Sequence, residues 1–426
     1  MLGTIDNINM QKVYISIVIL ICAAYLFFTE LLPITVTSVL VPCAFNIFGV
    51  ITVKEAWMNF GNPSILTIIG LFMLGEATFS TGLAQRSAKY IINKVGKSDK
   101  TLLIAVLAMC GILSAFLNNA GVTAMTLPMF VSLARRAKMH PSKILLPAAY
   151  AATIGGTMTL VGTAPNLLTN ALLGELAPDS RVFGFFEFGF YGVPYLILTL
   201  IMYYFFYNTL VPHKELSAES MAVEEEDVPD NPKMWVAGAV YLGVIVVMAT
   251  GAIPLATASM LGGVMLIITR CLTVEGALRG VDWATYFMFA GALTLGLGME
   301  KSGAAQVLAD VIVSYISDPI TIFYAACILT AVMTTIISNI ATIVIMIPLI
   351  IPIALDLGVS PLPYAMGVTA AASACFLTPM ATASNIIILK AAELSFFDYL
   401  RYGWPVQVLA VALILLLVPF FWPIYV

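Results

Sequence analysis

The chain has 426 residues, 61% of them hydrophobic and only 10% charged, with a mean hydropathy of +1.01 and a formal net charge of −4. That composition excludes a soluble globular domain and a disordered chain, and it places the protein in the bilayer. Two histidines (His140, His213) in polar connections argue against a histidine proton relay or a zinc site. The six cysteines, in or beside apolar segments without paired spacing, read as small packing residues.

In chain order, apolar runs suited to a hydrocarbon core of about 30 Å fall near 13–31, 33–51 and 61–82. The run from Val13 has no basic leader beyond Lys12 and no cleavage site, so it reads as a span and not as a signal peptide. A short amphipathic arm near 84–98 precedes an apolar segment, 101–134, with a polar dip at its centre: Asn118-Asn119, with Pro128 nine residues after Asn119. Amides facing lipid are costly, so this segment is expected to be a re-entrant hairpin. Ser114 and Thr123 flank the dip. The next span, 144–174, is interrupted by Gly155-Gly156 and by Gly162-Thr163-Ala164-Pro165-Asn166, and 188–211 follows.

The stretch 212–232, with Glu224-Glu225-Glu226-Asp227, is a solvated linker. Beyond it come spans near 233–251, 253–270 and 281–300, a second arm at 302–315 and a second hairpin, 319–354. Its tip carries Ser338-Asn339, Pro348 nine residues after Asn339, and Thr334 and Thr342 on either side. A second interrupted span, 362–391, holds Thr378-Pro379 and Thr382-Ala383-Ser384-Asn385, and 401–425 ends the series.

The two halves match in order. Pro33 answers Pro254, Asn119 answers Asn339, Asn166 answers Asn385, and Gly192 with Pro194 answers Gly403 with Pro405. An internal duplication follows, with repeats at 1–211 and 233–426. Each half holds five spans and one hairpin, ten spans and two hairpins in all. Five is odd, so the second copy is inverted. With both termini outside the cell membrane, 15 of the 19 basic residues lie on the inner side, leaving Lys12, Lys54, Arg181 and Lys301 outside, as the positive-inside rule requires.

A helix that stops in mid-membrane leaves free C=O groups, and its restart leaves free N–H groups. Such breaks are tolerated only against protein or a wet cavity. The restart favours an anion, the preceding carbonyls a small cation. Paired breaks in matching halves point to a transporter binding site. Pro165 and Pro379 remove helix donors within the breaks. Glu76, the one acid well inside a span, is expected to hydrogen-bond a neighbouring helix, with a proton-carrier role as the alternative.

On these motifs, over nearly its whole length, the chain resembles the divalent anion:sodium symporter family of the ion-transporter superfamily. The resemblance implies a homodimer whose hairpins and broken helices form a mobile transport domain that moves on a scaffold like an elevator. It implies one sodium site at Ser114, Asn118, Asn119 and the backbone of Gly162, and another at Thr334, the backbone of Ile337, Asn339 and the backbone of Ala381. It places an anion against Asn118, Asn119, Ser338, Asn339, Thr163 and Thr382. The family's tips read Ser-Asn-Thr, whereas Ala120 and Ile340 stand here where the threonines would be. No basic side chain sits near either tip.

The expectation is therefore an all-α secondary carrier of small dianions, C4-dicarboxylates first, coupled to sodium, with no organic cofactor and no nucleic-acid partner. The alternatives are a sodium-independent exchanger, a carrier of sulfate or another oxyanion, and, ranked lower, a sodium/proton antiporter. An intramembrane enzyme needs a nucleophile–base pair or a metal cluster, which the sequence does not offer.

Overall fold

The computed structural model describes residues 9–29, 31–83, 86, 98–137, 139–214, 231–316 and 318–425. The expected first arm, 84–98, and the linker, 212–232, lie outside these residues except at their edges. Among the described residues the regular structure is helical throughout. The first half runs α1 (Met10–Thr29), α2 (Ile34–Ile47), α3 (Val53–Met58), α4 (Pro63–Ser80), α5 (Asp99–Ser114), α6 (Asn119–Arg136), α7 (Ser142–Gly156), α8 (Ala164–Leu176), α9 (Gly189–Phe205) and α10 (Tyr207–Leu210). The second runs α11 (Met234–Thr250), α12 (Leu255–Ile268), α13 (Val274–Gly280), α14 (Trp283–Ser302), α15 (Ala304–Tyr315), α16 (Pro319–Met333), α17 (Asn339–Asp356), α18 (Pro361–Ala372), α19 (Ala383–Ala391) and α20 (Phe396–Phe421).

Local chemistry sets these boundaries. Proline opens α4, α16 and α18, each behind a side-chain cap from Asn62, Asp318 and Ser360, because proline lacks only a donor that is orphaned there anyway. Gly251 and Gly303 end α11 and α14 in the left-handed conformation that glycine adopts without penalty. The helix α15 meets α16 at 113°.

Among the described residues, four helical stretches are long and apolar enough to cross a membrane alone: α1, Val53–Ser80, α17 and α20. This is fewer than the ten uninterrupted or broken spans expected from hydropathy. The helices α2 and α12 have 14 residues each, and α9 and α11 have 17. Fourteen residues rise about 21 Å. The sequence windows counted apolar residues of the flanking turns, such as Phe48 and Val50, as helix.

The packing crosses between halves. In one group α4 lies on α12, and α14 lies on α2. In the other, α6 packs on α19 and α17 packs on α8. Each contact has a counterpart with the halves exchanged. The helices α8 and α17 also touch α14, which joins the two groups.

Small residues allow the closest approaches. A side chain at Gly155 would collide with the Gly111 backbone of α5. Gly192 abuts Thr157 O, and Gly403 abuts Phe376 O, so the matched glycines of the two halves serve matched contacts.

Candidate binding site at the helix breaks

Helix α5 stops at Ser114 and α6 restarts at Asn119. Asn118 caps the restart, its Oδ1 accepting from Ala120 N at 2.9 Å. In the second half α16 stops at Met333 and α17 restarts at Asn339, and the Ser338 hydroxyl accepts from Ala341 N at 3.3 Å. Short polar caps replace the lost backbone partners at both tips.

The hydroxyls named in the sequence meet the tip asparagines. Ser114 Oγ donates to Asn119 Oδ1 at 2.8 Å, and Thr334 Oγ1 to Asn339 Oδ1 at 3.1 Å. All four side chains are buried.

The second pair of breaks is built alike. Thr163 and Thr382 precede α8 and α19 with nearly the same backbone, φ −145° and ψ 148° against φ −145° and ψ 145°. Pro165 lies in the first turn of α8. Pro379 lies in the non-helical stretch between α18 and α19. Asn166 Nδ2 donates to Gly156 O (3.2 Å) and Thr159 O (2.8 Å), while Asn385 Nδ2 donates to Cys375 O (3.1 Å) and Thr378 O (3.0 Å). Each asparagine thus holds the unwound backbone before its helix.

Two threonines tie these breaks to the tips. Thr378 Oγ1 donates to Thr335 O at 2.6 Å, and Thr159 Oγ1 donates to Ala115 O. Both acceptors are carbonyls just past a helix end.

The Asn339 carboxamide shows what such a place can hold. One of its terminal atoms lies 3.0 Å from Ala381 O, 3.1 Å from Thr334 Oγ1 and 3.3 Å from Ala372 O. With nitrogen there, the amide donates to that cluster. With oxygen there, four oxygens share the single hydrogen of the Thr334 hydroxyl, an arrangement that a cation would stabilise. In the first half Gly162 packs against Gly156 O and Ala115 O, where a Cβ would approach to 2.6 and 2.9 Å. These donor sets are neutral hard oxygens from hydroxyls, an amide and backbone carbonyls, the type that suits an alkali or alkaline-earth ion. They fit sodium in kind.

Between the breaks lies a cavity of about 190 Å³. Asn118, Asn119, Thr163, Ser338, Asn339 and Thr382 all border it, with Gly162 and Ala381. Every residue expected to touch the anion therefore meets in one place. Of the residues implied for sodium, Ile337 and Thr334 lie buried behind the second tip. Asn118 Oδ1 accepts from Ala120 N at the start of α6, and the residue is exposed.

Over residues 24–344 and 294–425 the sequence matches the family model described as citrate transporter. The chain belongs to the citrate transporter family. It is therefore a multi-pass transporter of the cell membrane, not an enzyme, and its family acts on small anions.

It is 27% identical to an uncharacterised transporter of Haemophilus influenzae, over 94% of this chain and 90% of that protein. It is 25% identical to the sodium-dependent dicarboxylate transporter SdcS of Staphylococcus aureus, over 98% and 88%. A 31% match to the uncharacterised transporter YfbS of Escherichia coli spans 43% of this chain and only 30% of that protein. A probable sodium/sulfate cotransporter of Chlamydomonas reinhardtii is 30% identical over 43% of this chain and 21% of its own length. The fold is similar to the YdaH transporter of Alcanivorax borkumensis, with a TM-score of 0.64 at 13% identity, covering 98% of this chain and 99% of that one.

Sequence reasoning missed several lining groups. Phe72, Asp282 and Thr285 border the cavity from α4 and the start of α14, and Thr159, Ala115 and Ala372 join the oxygen clusters. Thr159 holds the place that matches Thr378, which the second break had already marked, so the repeat register could have found it. Nothing local marks Ala115 or Ala372, which contribute only carbonyls.

A second cavity of about 300 Å³ adjoins the first and shares Phe72, Asn118, Thr163 and Asp282 with it. Glu76 borders this second cavity, and its side chain packs on Gly280. His140, expected in a polar connection, is buried, with Nδ1 2.8 Å from Ser142 Oγ and Nε2 3.6 Å from Glu393. The turn between α6 and α7 folds back against the end of α19.

Proposed function

We propose that this protein is a sodium-coupled secondary carrier of small dianions, with C4-dicarboxylates as the leading class. The observation that carries this reading is the convergence of Asn118, Asn119, Thr163, Ser338, Asn339 and Thr382, from four separate breaks, on one cavity. No lysine or arginine borders it among the described residues. Anion binding then rests on amide and hydroxyl donors and on the positive ends of the restarting helices. Sodium, when bound behind the tips, supplies the missing positive charge. Asn119 and Asn339 link the two functions, since each borders the cavity while its side chain meets a hydroxyl of the oxygen cluster behind it.

In this reading the halves are inverted repeats, with the breaks and their helices α5–α9 and α16–α20 moving as a unit against α1, α2, α4, α11, α12 and α14. The crosswise packing supports it, because each group buries its own contacts between halves. Both termini face outward, and the functional unit is a homodimer. The name of the S. aureus relative supports sodium and dicarboxylate together.

A second reading, transport of sulfate or another oxyanion, is favoured by one feature: Ala120 and Ile340 border the cavity at the two tips, where threonine hydroxyls would favour a dicarboxylate. Uptake of labelled succinate and of labelled sulfate into proteoliposomes separates the two. Succinate accumulation driven by an inward sodium gradient is the expected result. Sulfate uptake alone selects the second reading, and no anion flux under any gradient removes both.

A further inference from the structure

The cavity has two chemically different walls. The tips and broken helices bring amide and hydroxyl donors and helix N-termini. The opposite wall, at the start of α14, brings Asp282 and Thr285. Asp282 Oδ1 accepts from Ala284 N (3.1 Å) and Thr285 N (3.2 Å), and Oδ2 accepts from Thr285 Oγ1 at 2.6 Å. The Thr285 hydrogen is therefore spent on the carboxylate, and the oxygen keeps only lone pairs for the cavity. Thr285 is buried, so this hydroxyl has a fixed orientation, whereas Asp282 is exposed to the cavity space. The side chains of this wall offer acceptors and negative charge.

A plain dicarboxylate such as succinate has only acceptors. It satisfies the tip wall and meets repulsion or unpaired lone pairs at the α14 wall. A dicarboxylate with a donor on the carbon beside a carboxyl group satisfies both. A donor facing the Asp282 carboxylate adds an attraction that the unsubstituted analogue lacks.

Building on the dianion-carrier reading, we propose that Asp282 and Thr285 are specificity-determining residues that select C4-dicarboxylates bearing a hydroxyl or ammonium donor over unsubstituted ones. Asp282 contributes charge as well as lone pairs, so it favours the ammonium form most. Thr285 contributes a neutral acceptor and favours both.

The test is ligand stabilisation of the purified full-length protein in sodium, titrating succinate, malate and aspartate. Malate and aspartate are expected to bind about tenfold tighter than succinate. Asp282→Asn preserves the helix cap, since asparagine caps as well as aspartate, and it should erase the aspartate preference. Thr285→Val should reduce both preferences, and Thr285→Ser should restore them. Succinate binding as tightly as malate and aspartate in the unmodified protein overturns this inference and leaves the carrier reading intact. So does an Asp282→Asn variant that keeps the aspartate preference. If none of the three stabilises the protein under any cation, the C4-dicarboxylate reading falls, and this inference with it.

Discussion

Asn166 and Asn385 make the same two hydrogen bonds in different halves of the chain: each side-chain amide donates to the carbonyls ten and seven residues before it. These bonds hold the unwound backbone that precedes α8 and α19. Replacing either asparagine by alanine leaves two buried carbonyls without a donor, at a cost of roughly 1–3 kcal/mol for each group left unpaired. Asn166→Ala and Asn385→Ala should lower thermal stability by similar amounts. Asparagine to aspartate should be worse at both positions, because a carboxylate has no hydrogen to give. Thermal unfolding of the purified variants reads this directly.

Gly156 carries Asn119 against its backbone, and a Cβ there would collide with the carboxamide of Asn119. Gly156→Ala should displace that carboxamide, break its bond with Ser114 and abolish sodium-dependent stabilisation. Gly174→Ala is the control, since a Cβ there meets only Val182 Cγ1 at 3.4 Å. It should leave ligand response unchanged.

Thr159 and Thr378 tie the broken helices to the carbonyls just past α5 and α16. Valine at either place keeps the shape and removes the donor. Each substitution should weaken apparent sodium affinity by about tenfold, the equivalent of one net hydrogen bond of about 1.4 kcal/mol, with similar size in the two halves. Sodium titration of ligand-induced stabilisation is the measurement.

Much of this arrangement was legible in the sequence, because its signals are local and doubled. A polar pair inside an apolar run, with proline nine residues on, is visible without any fold, and its second copy at Asn339 made chance an inadequate explanation. Gly155-Gly156 and Gly162 marked the interruption of the span. What stayed hidden was long-range. Asp282 reads as an ordinary cap at the edge of a span, and only packing of α14 beside α8 and α17 brings it to the cavity. The carbonyls of Ala115 and Ala372 carry no side-chain signal at all. The burial of His140 likewise depends on a contact with Glu393, far along the chain.

The central claim is that the two tip asparagines join an anion cavity to cation-binding oxygen clusters. It is tested most directly by crossing succinate, malate and sulfate with sodium, potassium and choline in a thermal-shift assay of the purified protein, beside Asn119→Ala and Asn339→Ala. The account predicts an anion-induced shift that appears only with sodium and disappears in both variants. An anion shift of equal size in choline, or one that survives both substitutions, would contradict it.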